Sequence, residues 1–391
     1  MTVTTKPTAL NASALEVHAT QNPKPVPSPD APELAALETF TDHMITVKWS
    51  ASQGWENPKL VPFAPLPLYP STSVFQYATA CYEGMKVFRG FDGRLRLFRP
   101  SYNCHRMLAS ATRISLPTFD PAELEKLIVK YCALEAPRWL PKDRVGNALY
   151  VRPTMIATDS SIGFTIPRKA LLCIFMVYWP APIISQNPTE KTGAKLITSG
   201  QSSVRAWPGG TGAAKISANY GPALFEHGIA KQQGYDQVLW LYGADRQVTE
   251  AGSTNFFAIF KKAENEFEIA TPPIDGDSLI LAGGTRRSII ELSNVLFGPN
   301  GTAAGVERCT TTERVITMGE IEKAADDGRL VAAFVVGTAF WVQSVQEINS
   351  AGKIIKLEVE RPHIRMLRDM LAGIMYGKEP SKWPVIVDEA A

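Results

Sequence analysis

A polar stretch broken by three prolines, residues 180–193, most constrains how this chain of 391 residues can fold. It separates two apolar runs, 170–179 and 194–199, that have the length and composition of buried strands. Boundaries between compact domains lie in such segments, because few contacts cross them. The sequence therefore predicts a first domain over 36–179, an interdomain linker over 180–193 and a second domain over 194–391.

The first 35 residues form a separate segment. They hold two basic residues, Lys6 and Lys24, and five prolines between Pro23 and Pro32, with no continuous apolar run. A secretory signal needs such a run, and a mitochondrial transit peptide is rich in arginine. We therefore expect a disordered tail over 1–35 and a cytoplasmic protein, with a mitochondrial location less favoured.

Charge and cysteine content exclude several classes of partner. The 40 basic and 38 acidic residues nearly cancel, which argues against nucleic acid or an anionic membrane as a partner. The longest apolar run, 170–179, is about half a membrane span and is typical of a buried strand. Five cysteines without Cys-x-x-Cys spacing indicate a reducing compartment and predict neither a disulfide framework nor a metal site.

Local patterns predict further elements in both domains. Ser101 and Thr285 each precede a helical apolar pattern, so we expect them to cap helices. A third helical pattern, 364–374, predicts a C-terminal helix whose apolar side chains belong to the core. Short apolar or alternating runs predict strands at 43–49, 94–98, 147–156, 236–242, 256–260 and 330–336.

Lys215 lies in the glycine-rich run 209–222, where no carboxylate occupies either neighbouring turn. Small residues before it allow a flat ligand to approach the backbone closely. A buried lysine loses its proton easily, and the neutral amine can attack a carbonyl to form a Schiff base. Pyridoxal phosphate (PLP) is the cofactor that most often uses such a lysine. A surface lysine in a glycine-rich turn is the alternative interpretation.

Glu250 follows the apolar run 236–242 and precedes 256–260, which places it on a connection between two core strands. Burying a carboxylate there is costly unless a cation faces it. A protonated pyridine nitrogen is such a cation, so Glu250 is a candidate partner for the PLP ring. An exposed loop glutamate is the alternative.

Eight short motifs occur in one order at fitting separations, and together they are highly specific. The motifs are Thr41-Asp42-His43-Met44, Tyr82-Glu83-Gly84-Met85-Lys86, Leu97-Phe98-Arg99-Pro100, Tyr150-Val151-Arg152-Pro153, the Lys215 run, Val248-Thr249-Glu250-Ala251-Gly252, Thr271-Pro272-Pro273 and Gly337-Thr338-Ala339. They resemble the branched-chain amino acid aminotransferases, PLP enzymes of fold type IV, over about residues 38–380. The resemblance implies an α/β (α+β) fold with a smaller α/β domain, a larger domain with a β-barrel-like core, and PLP in the cleft between them.

The resemblance also implies roles for individual residues. Lys215 is the catalytic lysine, Glu250 binds the pyridine nitrogen and Tyr220 binds the 3'-oxygen of the cofactor. The cofactor phosphate is assigned to Arg106, Gly284, Thr285 and Thr338. The substrate pocket is assigned to Tyr77, Tyr82, Tyr150 and Arg152, with Ser253 and Ala339 near the α-carboxylate.

The implied reaction is transamination of leucine, isoleucine and valine with 2-oxoglutarate, which yields branched 2-oxo acids and glutamate. Aromatic walls suit a branched aliphatic chain, and Arg152 can bind the distal carboxylate of glutamate. In the family, small-domain elements of one subunit close the site of its partner. This chain has those elements at 77–86, so we expect a homodimer.

Three departures from the family pattern predict unequal use of leucine, isoleucine and valine. They are Ser217-Ala218 for Gly-Gly, Ala282-Gly283-Gly284 for Pro-Gly-Val/Ile, and Ala36-Leu37 for Phe-Gly. Three alternatives within the fold are a specialised paralogue, a D-amino acid aminotransferase and an aminodeoxychorismate lyase. A PLP-free binding paralogue is an alternative of a different class.

Overall fold

Contacts between residues divide the computed structural model of the chain into two compact units. Apart from Gly193, the predicted linker over 180–193 lies outside the described residues, which are 7–179, 193–274, 279–339 and 341–389. The first unit combines the described residues before 180 with 215–218 and 373–389, and the second combines those of 193–214 and 219–372.

Strands dominate the described part of the chain before residue 180. These strands are β1 Glu16–Val17, β2 Phe40–Ser50, β3 Gly54–Trp55, β4 Lys59–Pro62, β5 Ala80–Tyr82, β6 Met85–Arg89, β7 Leu95–Phe98, β8 Ala148–Ala157 and β9 Lys169–Trp179. The helices are α1 Ser73–Tyr77, α2 Pro100–Arg113 and α3 Pro121–Trp139, with short 3-10 helices at Ala12–Ala14 and Pro32–Ala36.

The described part after residue 192 has the same mixed character. Its strands are β10 Ala194–Thr198, β11 Gln237–Tyr242, β12 Gln247–Ala251, β13 Thr254–Ala263, β14 Glu266–Thr271, β15 Arg308–Glu313, β16 Leu330–Gly337, β17 Trp341–Ser350, β18 Lys353–Lys356 and β19 Pro384–Val387. Its helices are α4 Ala223–Gln232, α5 Gly284–Phe297, α6 Met318–Asp326 and α7 Pro362–Met375, with a 3-10 helix at Ser217–Asn219.

The first unit contains a sheet in the order β1-β4-β2-β9-β8-β6-β7-β19, with β3 beside β2 and β5 beside β8. The strand β9 pairs with β2 on one side and β8 on the other, and its side chains are buried along most of its length. This confirms the strand predictions at 43–49, 94–98, 147–156 and 170–179.

The second unit contains a sheet in the order β12-β11-β10-β17-β16-β13-β14-β15, with β18 beside β17. An additional pairing of β12 with β13 closes six of these strands into a ring. The closed ring confirms the expected barrel-like core. Alternate residues of β11 and β13 pack with helix α6 in one apolar cluster, for example Leu239, Leu241, Phe256 and Phe260.

The starts of two helices differ from the predictions. Helix α2 begins at Pro100 after Arg99, whose φ of 48° is left-handed, so Ser101 lies inside the helix and does not cap it. Helix α5 begins after Gly283, and Thr285 is its second residue. A Cβ at Gly283 would lie 2.1 Å from the side-chain oxygen of Asn255, so the position before the helix needs glycine. Helix α7 confirms the predicted C-terminal helix.

The described residues of the N-terminal segment pack against the first unit, whereas the sequence predicted a disordered tail over 1–35. Leu10, Ala12 and Leu34 are buried, and β1 pairs in parallel with β4. The backbone N–H of Ala12 donates to the carboxylate of Glu123 on α3 at 2.8 Å. Isolated apolar residues carry this packing, and a search for continuous apolar runs overlooks them.

The predicted extent of the second domain, 194–391, also differs from the contacts. Residues 373–389 group with the first unit, where β19 pairs with β7 in antiparallel fashion. Residues 215–218 group with it too, because Ile216 forms a bridge with Cys81. No helix in the described ranges has the length and apolar composition needed to cross a bilayer.

Candidate active site

Lys215 is fixed to the first unit through its backbone. Its N–H donates to the hydroxyl of Ser110 at 2.8 Å, and its carbonyl accepts from the N–H of Tyr82 at 3.1 Å. The next residue, Ile216, bridges to Cys81. The Lys215 ammonium lies 4.9 Å from the centroid of the Tyr82 ring, a cation–π distance. The lysine is half-buried, where the sequence suggested a buried one.

Arg106 is held in a fixed orientation by a buried acid. Its Nε and Nη2 donate to the two carboxylate oxygens of Glu83 at 2.6 and 2.7 Å, and Asn103 donates to the same acid at 2.8 Å. Burial raises the pKa of Glu83, but the charge and hydrogen bonds of Arg106, together with Lys215 and Asn103, outweigh burial and lower the pKa. The pair therefore anchors α2 beside the strand that carries Tyr82.

Arg152 is a residue of β8, and its guanidinium lies close to two aromatic rings, that of Tyr82 on β5 and that of Tyr150 on β8. Its guanidinium carbon is 4.7 Å from the centroid of Tyr82 and 5.1 Å from that of Tyr150, and its Nη2 donates to the Tyr150 hydroxyl at 3.3 Å. Its Nε–H is buried and has no hydrogen-bond partner within the described ranges. An N–H in this state is costly unless an acceptor from a ligand reaches it.

Tyr77 contacts a different part of the first unit. Its hydroxyl donates to the carbonyl of Ile162, and its ring meets Phe164 edge-on with centroids 5.5 Å apart. Both partners belong to the loop 158–168 between β8 and β9. The structure therefore associates Tyr77 with an exposed apolar loop.

In the second unit, Glu250 is a buried residue of β12, so its predicted place on a connection is wrong. Its Oε2 lies 2.8 Å from Nη2 of Arg205. Its Oε1 accepts from the N–H of Leu281 at 2.9 Å and from the side-chain amide of Asn255 at 3.3 Å. These donors fix the carboxylate in one orientation.

The N-terminus of α5 presents Gly284 and Thr285, the first and second residues of a helix of 14 residues. The first amides of a helix have no intrahelical acceptor, and together with the helix dipole they form an anion site. Thr285 is buried. Thr338 and Ala339 form the half-buried turn directly after β16.

A cavity of about 590 Å³ in the second unit brings Tyr220 and Ser253 together. Its volume lies within the range of roughly 300–1,000 Å³ that is typical of small-molecule sites. Arg205, Trp240 and Gly252 also line it. Within the described ranges, no group of three His, Cys, Asp or Glu side chains is placed to hold a metal ion.

Comparison with known proteins identifies the family. The model of the family described as amino-transferase class IV matches residues 80–348. A mitochondrial branched-chain-amino-acid aminotransferase of Schizosaccharomyces pombe is 39% identical over 385 residues, 97% of this chain and 86% of the relative. A cytosolic one of Mus musculus is 38% identical over 360 residues, 91% of this chain and 89% of the relative. The chain belongs to the branched-chain amino acid aminotransferase family.

Solved structures place this aminotransferase in the same fold. The structure of a branched-chain aminotransferase of Thermoproteus uzoniensis matches with a TM-score of 0.64 at 21% identity. The match covers 88% of this chain and 99% of the Thermoproteus chain. The Escherichia coli enzyme gives the same TM-score of 0.64 at 21% identity, with 88% and 99% covered. These findings confirm the resemblance stated from the motifs and the fold class that it implied.

The sequence analysis of the aminotransferase missed two polar partners of its candidate site. Arg205 binds Glu250 from 45 positions earlier in the chain, and its neighbours Val204 and Ala206 give it no distinguishing pattern. Glu83 lies within one of the eight motifs, but the motif did not predict that its carboxylate binds Arg106. A search for acids that could neutralise the predicted phosphate arginine would have found Glu83.

Proposed function

We propose that this protein transaminates branched-chain amino acids with 2-oxoglutarate as acceptor, and that PLP is its cofactor. Family membership sets the reaction class. The choice of a branched-chain donor and an acidic acceptor rests on the surroundings of Arg152. This cation lies against the Tyr82 and Tyr150 rings, and its buried Nε–H lacks a partner within the described ranges. The rings suit a branched apolar side chain, and the guanidinium suits the distal carboxylate of the acidic substrate.

The residues present fit PLP. Lys215 offers a primary amine fixed by its backbone, and the buried, oriented carboxylate of Glu250 suits a protonated ring nitrogen. Arg106, the amide end of α5 and Thr338 would hold the phosphate, and Tyr220 would bind the 3'-oxygen. When bound, PLP supplies an aldehyde carbon for the substrate amine and a ring that withdraws electrons from the α-carbon.

Lys215 moves the proton in the proposed reaction. Its Nζ removes the proton from the α-carbon of the amino acid and would deliver it to the aldehyde-derived carbon of the bound cofactor. In the reverse half-reaction, Nζ would carry a proton from that carbon back to the α-carbon of the 2-oxo acid. Two backbone hydrogen bonds hold the residue, so the side chain alone has to move. The ring of Tyr82, 4.9 Å from Nζ, stabilises the charged amine between the two transfers.

The substrate is oriented from both ends in this proposal. Ser253 and the amide of Ala339 bind the α-carboxylate, while Tyr82, Tyr150 and Arg152 receive the side chain. The two substrates occupy the same pocket in turn. When glutamate or 2-oxoglutarate is bound, its distal carboxylate takes the place of the branched side chain beside the rings and accepts a hydrogen bond from the Nε–H of Arg152.

A panel of amino donors against 2-oxoglutarate, read as glutamate formed, tests the proposal. Leucine, isoleucine and valine should all be donors, and unequal kcat/KM values would agree with the predicted effect of the sequence departures. D-alanine is the control for the D-amino acid alternative. Glutamate from D-alanine but not from leucine would contradict the proposal. A purified protein without visible cofactor absorption would favour the binding paralogue.

We further propose that the enzyme is a homodimer. Three apolar side chains of the loop 158–168 are strongly exposed: Ile162 at 74%, Phe164 at 90% and Ile166 at 72%. Contiguous exposed apolar surface of this kind is typical of a protein contact. Phe164 lies against Tyr77, a residue that the family resemblance assigns to substrate binding.

A reducing compartment such as the cytoplasm is the proposed location. All five cysteines are buried and none forms a disulfide. Burial raises the pKa of the Cys81 and Cys173 thiols to about 12, which keeps both protonated and unreactive. The relatives carry both cytosolic and mitochondrial names, so cell fractionation is the deciding measurement.

A further inference from the structure

Lys86 is a second cation on the sheet face that carries Arg152. The lysine is 4% exposed, and its ammonium lies 4.5 Å from the centroid of the Trp179 ring. Lys86 pairs with Tyr150 between β6 and β8, and Trp179 pairs with Ala148 between β9 and β8. Directly opposed residues of antiparallel strands project to the same face. Lys86, Tyr150 and Trp179 therefore share one face.

Two stacked rings connect the two cations. The Tyr150 and Trp179 rings have centroids 5.1 Å apart at an interplanar angle of 29°. The Lys86 ammonium lies on the Trp179 ring, and the Tyr150 hydroxyl accepts from Arg152. The order Lys86, Trp179, Tyr150, Arg152 is thus a continuous series of contacts from a buried lysine to the half-buried arginine.

We propose that Lys86 is a positioning residue that sets the preference for the acidic substrate. Through the Trp179–Tyr150 stack, its ammonium favours the distal carboxylate of 2-oxoglutarate or glutamate at Arg152 over an apolar side chain. The inference rests on the proposed function, and it adds a residue to which neither the motifs nor the family comparison gave a role.

Burial makes the charge of Lys86 both effective and adjustable. Water screens a buried charge poorly, so its field reaches a neighbouring subsite. Burial also lowers the pKa of Lys86 to about 7, so the ammonium is present below neutral pH and is lost above it. The titratable groups facing it from β8 are Tyr150 and Arg152, and Trp179 of β9 carries none. The carboxylate of Glu83, three positions before Lys86 in the chain, is bound to Arg106 and Asn103.

The two substrates should therefore respond differently to Lys86. A dianionic acceptor gains from a second cation, whereas a branched 2-oxo acid places no charge near Arg152 and gains nothing. Loss of the ammonium should weaken binding of 2-oxoglutarate and leave the transfer of the α-proton by Lys215 unaffected.

The test compares 2-oxoglutarate with 4-methyl-2-oxopentanoate as acceptors for isoleucine, in the PLP-loaded full chain at about pH 6, where the Lys86 ammonium is present. For Lys86→Met we expect KM for 2-oxoglutarate to rise about fivefold or more, with kcat and KM for 4-methyl-2-oxopentanoate within about twofold of wild type. Lys86→Arg keeps the positive charge and should restore the preference for 2-oxoglutarate. An equal rise of both KM values, or no change in either, would overturn the proposal.

The wild-type enzyme provides a second test that needs no variant to fold. The ratio of kcat/KM for 2-oxoglutarate to that for 4-methyl-2-oxopentanoate should fall between about pH 6 and about pH 8.5, because kcat/KM reports ionisations of the free enzyme. Ionisations of Lys215 or the cofactor affect both acceptors and cancel in the ratio. A ratio independent of pH would also overturn the proposal.

The outcomes separate this inference from the proposed function. Absence of transamination with every branched-chain donor would refute the proposed function. Normal transamination by wild type and Lys86→Met, with the same acceptor preference, would refute the role of Lys86 alone.

Discussion

Lys215 is anchored by backbone hydrogen bonds to Ser110 and Tyr82, so its side chain can be removed without releasing the segment. We expect Lys215→Ala to lower kcat by at least about a thousandfold, because the variant lacks the base for the α-proton. The altered visible absorption of the cofactor and the glutamate formed are the measurements. Lys48→Ala, at an exposed lysine of β2, is the control and should behave as wild type. Normal turnover of Lys215→Ala would remove the lysine from the mechanism.

Glu250 and Arg205 form an ion pair in which both side chains are nearly inaccessible. Glu250→Gln should slow the single-turnover half-reaction at least about a hundredfold, because the amide does not hold a ring nitrogen protonated. It should also lower the free energy of unfolding by about 3–5 kcal/mol, because Arg205 is left as an uncompensated buried charge.

A double variant separates these two effects of Glu250. Arg205→Met combined with Glu250→Gln removes the unpaired charge and should recover part of the free energy of unfolding while the half-reaction stays slow. Recovery of the rate together with stability would mean that Glu250 acts only through folding.

Residue types and their spacing were enough to predict Lys215 and Glu250 as chemical candidates, but not their partners. Local sequence reports on neighbours within a few positions, whereas Arg205 lies on a connection between β10 and β11 and binds Glu250 of β12 across 45 positions. The orphan Nε–H of Arg152 depends in the same way on three-dimensional packing. Such partners follow from the packing of distant segments, which the motifs do not encode.

The turn between β5 and β6 depends on Gly84. A Cβ at this position would lie 1.7 Å from the Tyr150 hydroxyl, and Tyr150 is stacked on Trp179 and cannot easily withdraw. Gly84→Ala should cost about 1–3 kcal/mol of unfolding free energy through overpacking and should raise KM for both acceptors.

The control for Gly84→Ala is Gly228→Ala in helix α4, where an added Cβ meets nothing within 4 Å. That variant should be more stable than wild type by about 0.4–1 kcal/mol, because alanine restricts the unfolded chain. Unfolding in urea measures both variants. Equal stability of the two would contradict the steric role of Gly84.

Strand β14 is tied to the segment before α6 by a charge network around Glu268. Burial raises the pKa of Glu268, but hydrogen bonds from Arg314, Thr312 and Lys262 outweigh it and lower the pKa to about 2. Since the ordinary pKa is 4.5, the network stabilises the fold above that pH and loses its contribution as the pH falls towards 2. Glu268→Gln should remove this part of the acid dependence of unfolding in urea. An unchanged pH profile would contradict the assignment.

Strands were easier to predict from the sequence than helix starts. The apolar run 170–179 predicts β9 because a strand that is buried on both faces is apolar at nearly every position. Helix α2 begins after Arg99 in a left-handed conformation that its sequence does not signal, since such a φ is typical of glycine or asparagine. The closure of β12 onto β13 was expected from the family resemblance and not from the local pattern.

The whole molecule is expected to be a dimer that uses the loop 158–168. Phe164→Glu places a charge on a side chain that is 90% exposed in the single chain, so it should disrupt the assembly without unfolding the subunit. Light scattering should give twice the one-chain mass for wild type and a lower mass for the variant. Val295→Glu, at an exposed position of α5, is the control and should remain dimeric. A fully active wild-type monomer would contradict the proposal.

The pairing of β19 with β7 has a consequence for protein synthesis. The ribosome completes β7 early, but it delivers the neighbouring strand only after the entire second unit has emerged. Until then β7 is an open edge strand, and unpaired edges are sites of aggregation. The guanidinium of Arg89, which is fully buried in the folded chain, also lacks its ion-pair partner, the carboxylate of Glu389, over the same interval. We therefore expect newly made chains to remain prone to aggregation for longer than the size of the first unit alone would suggest.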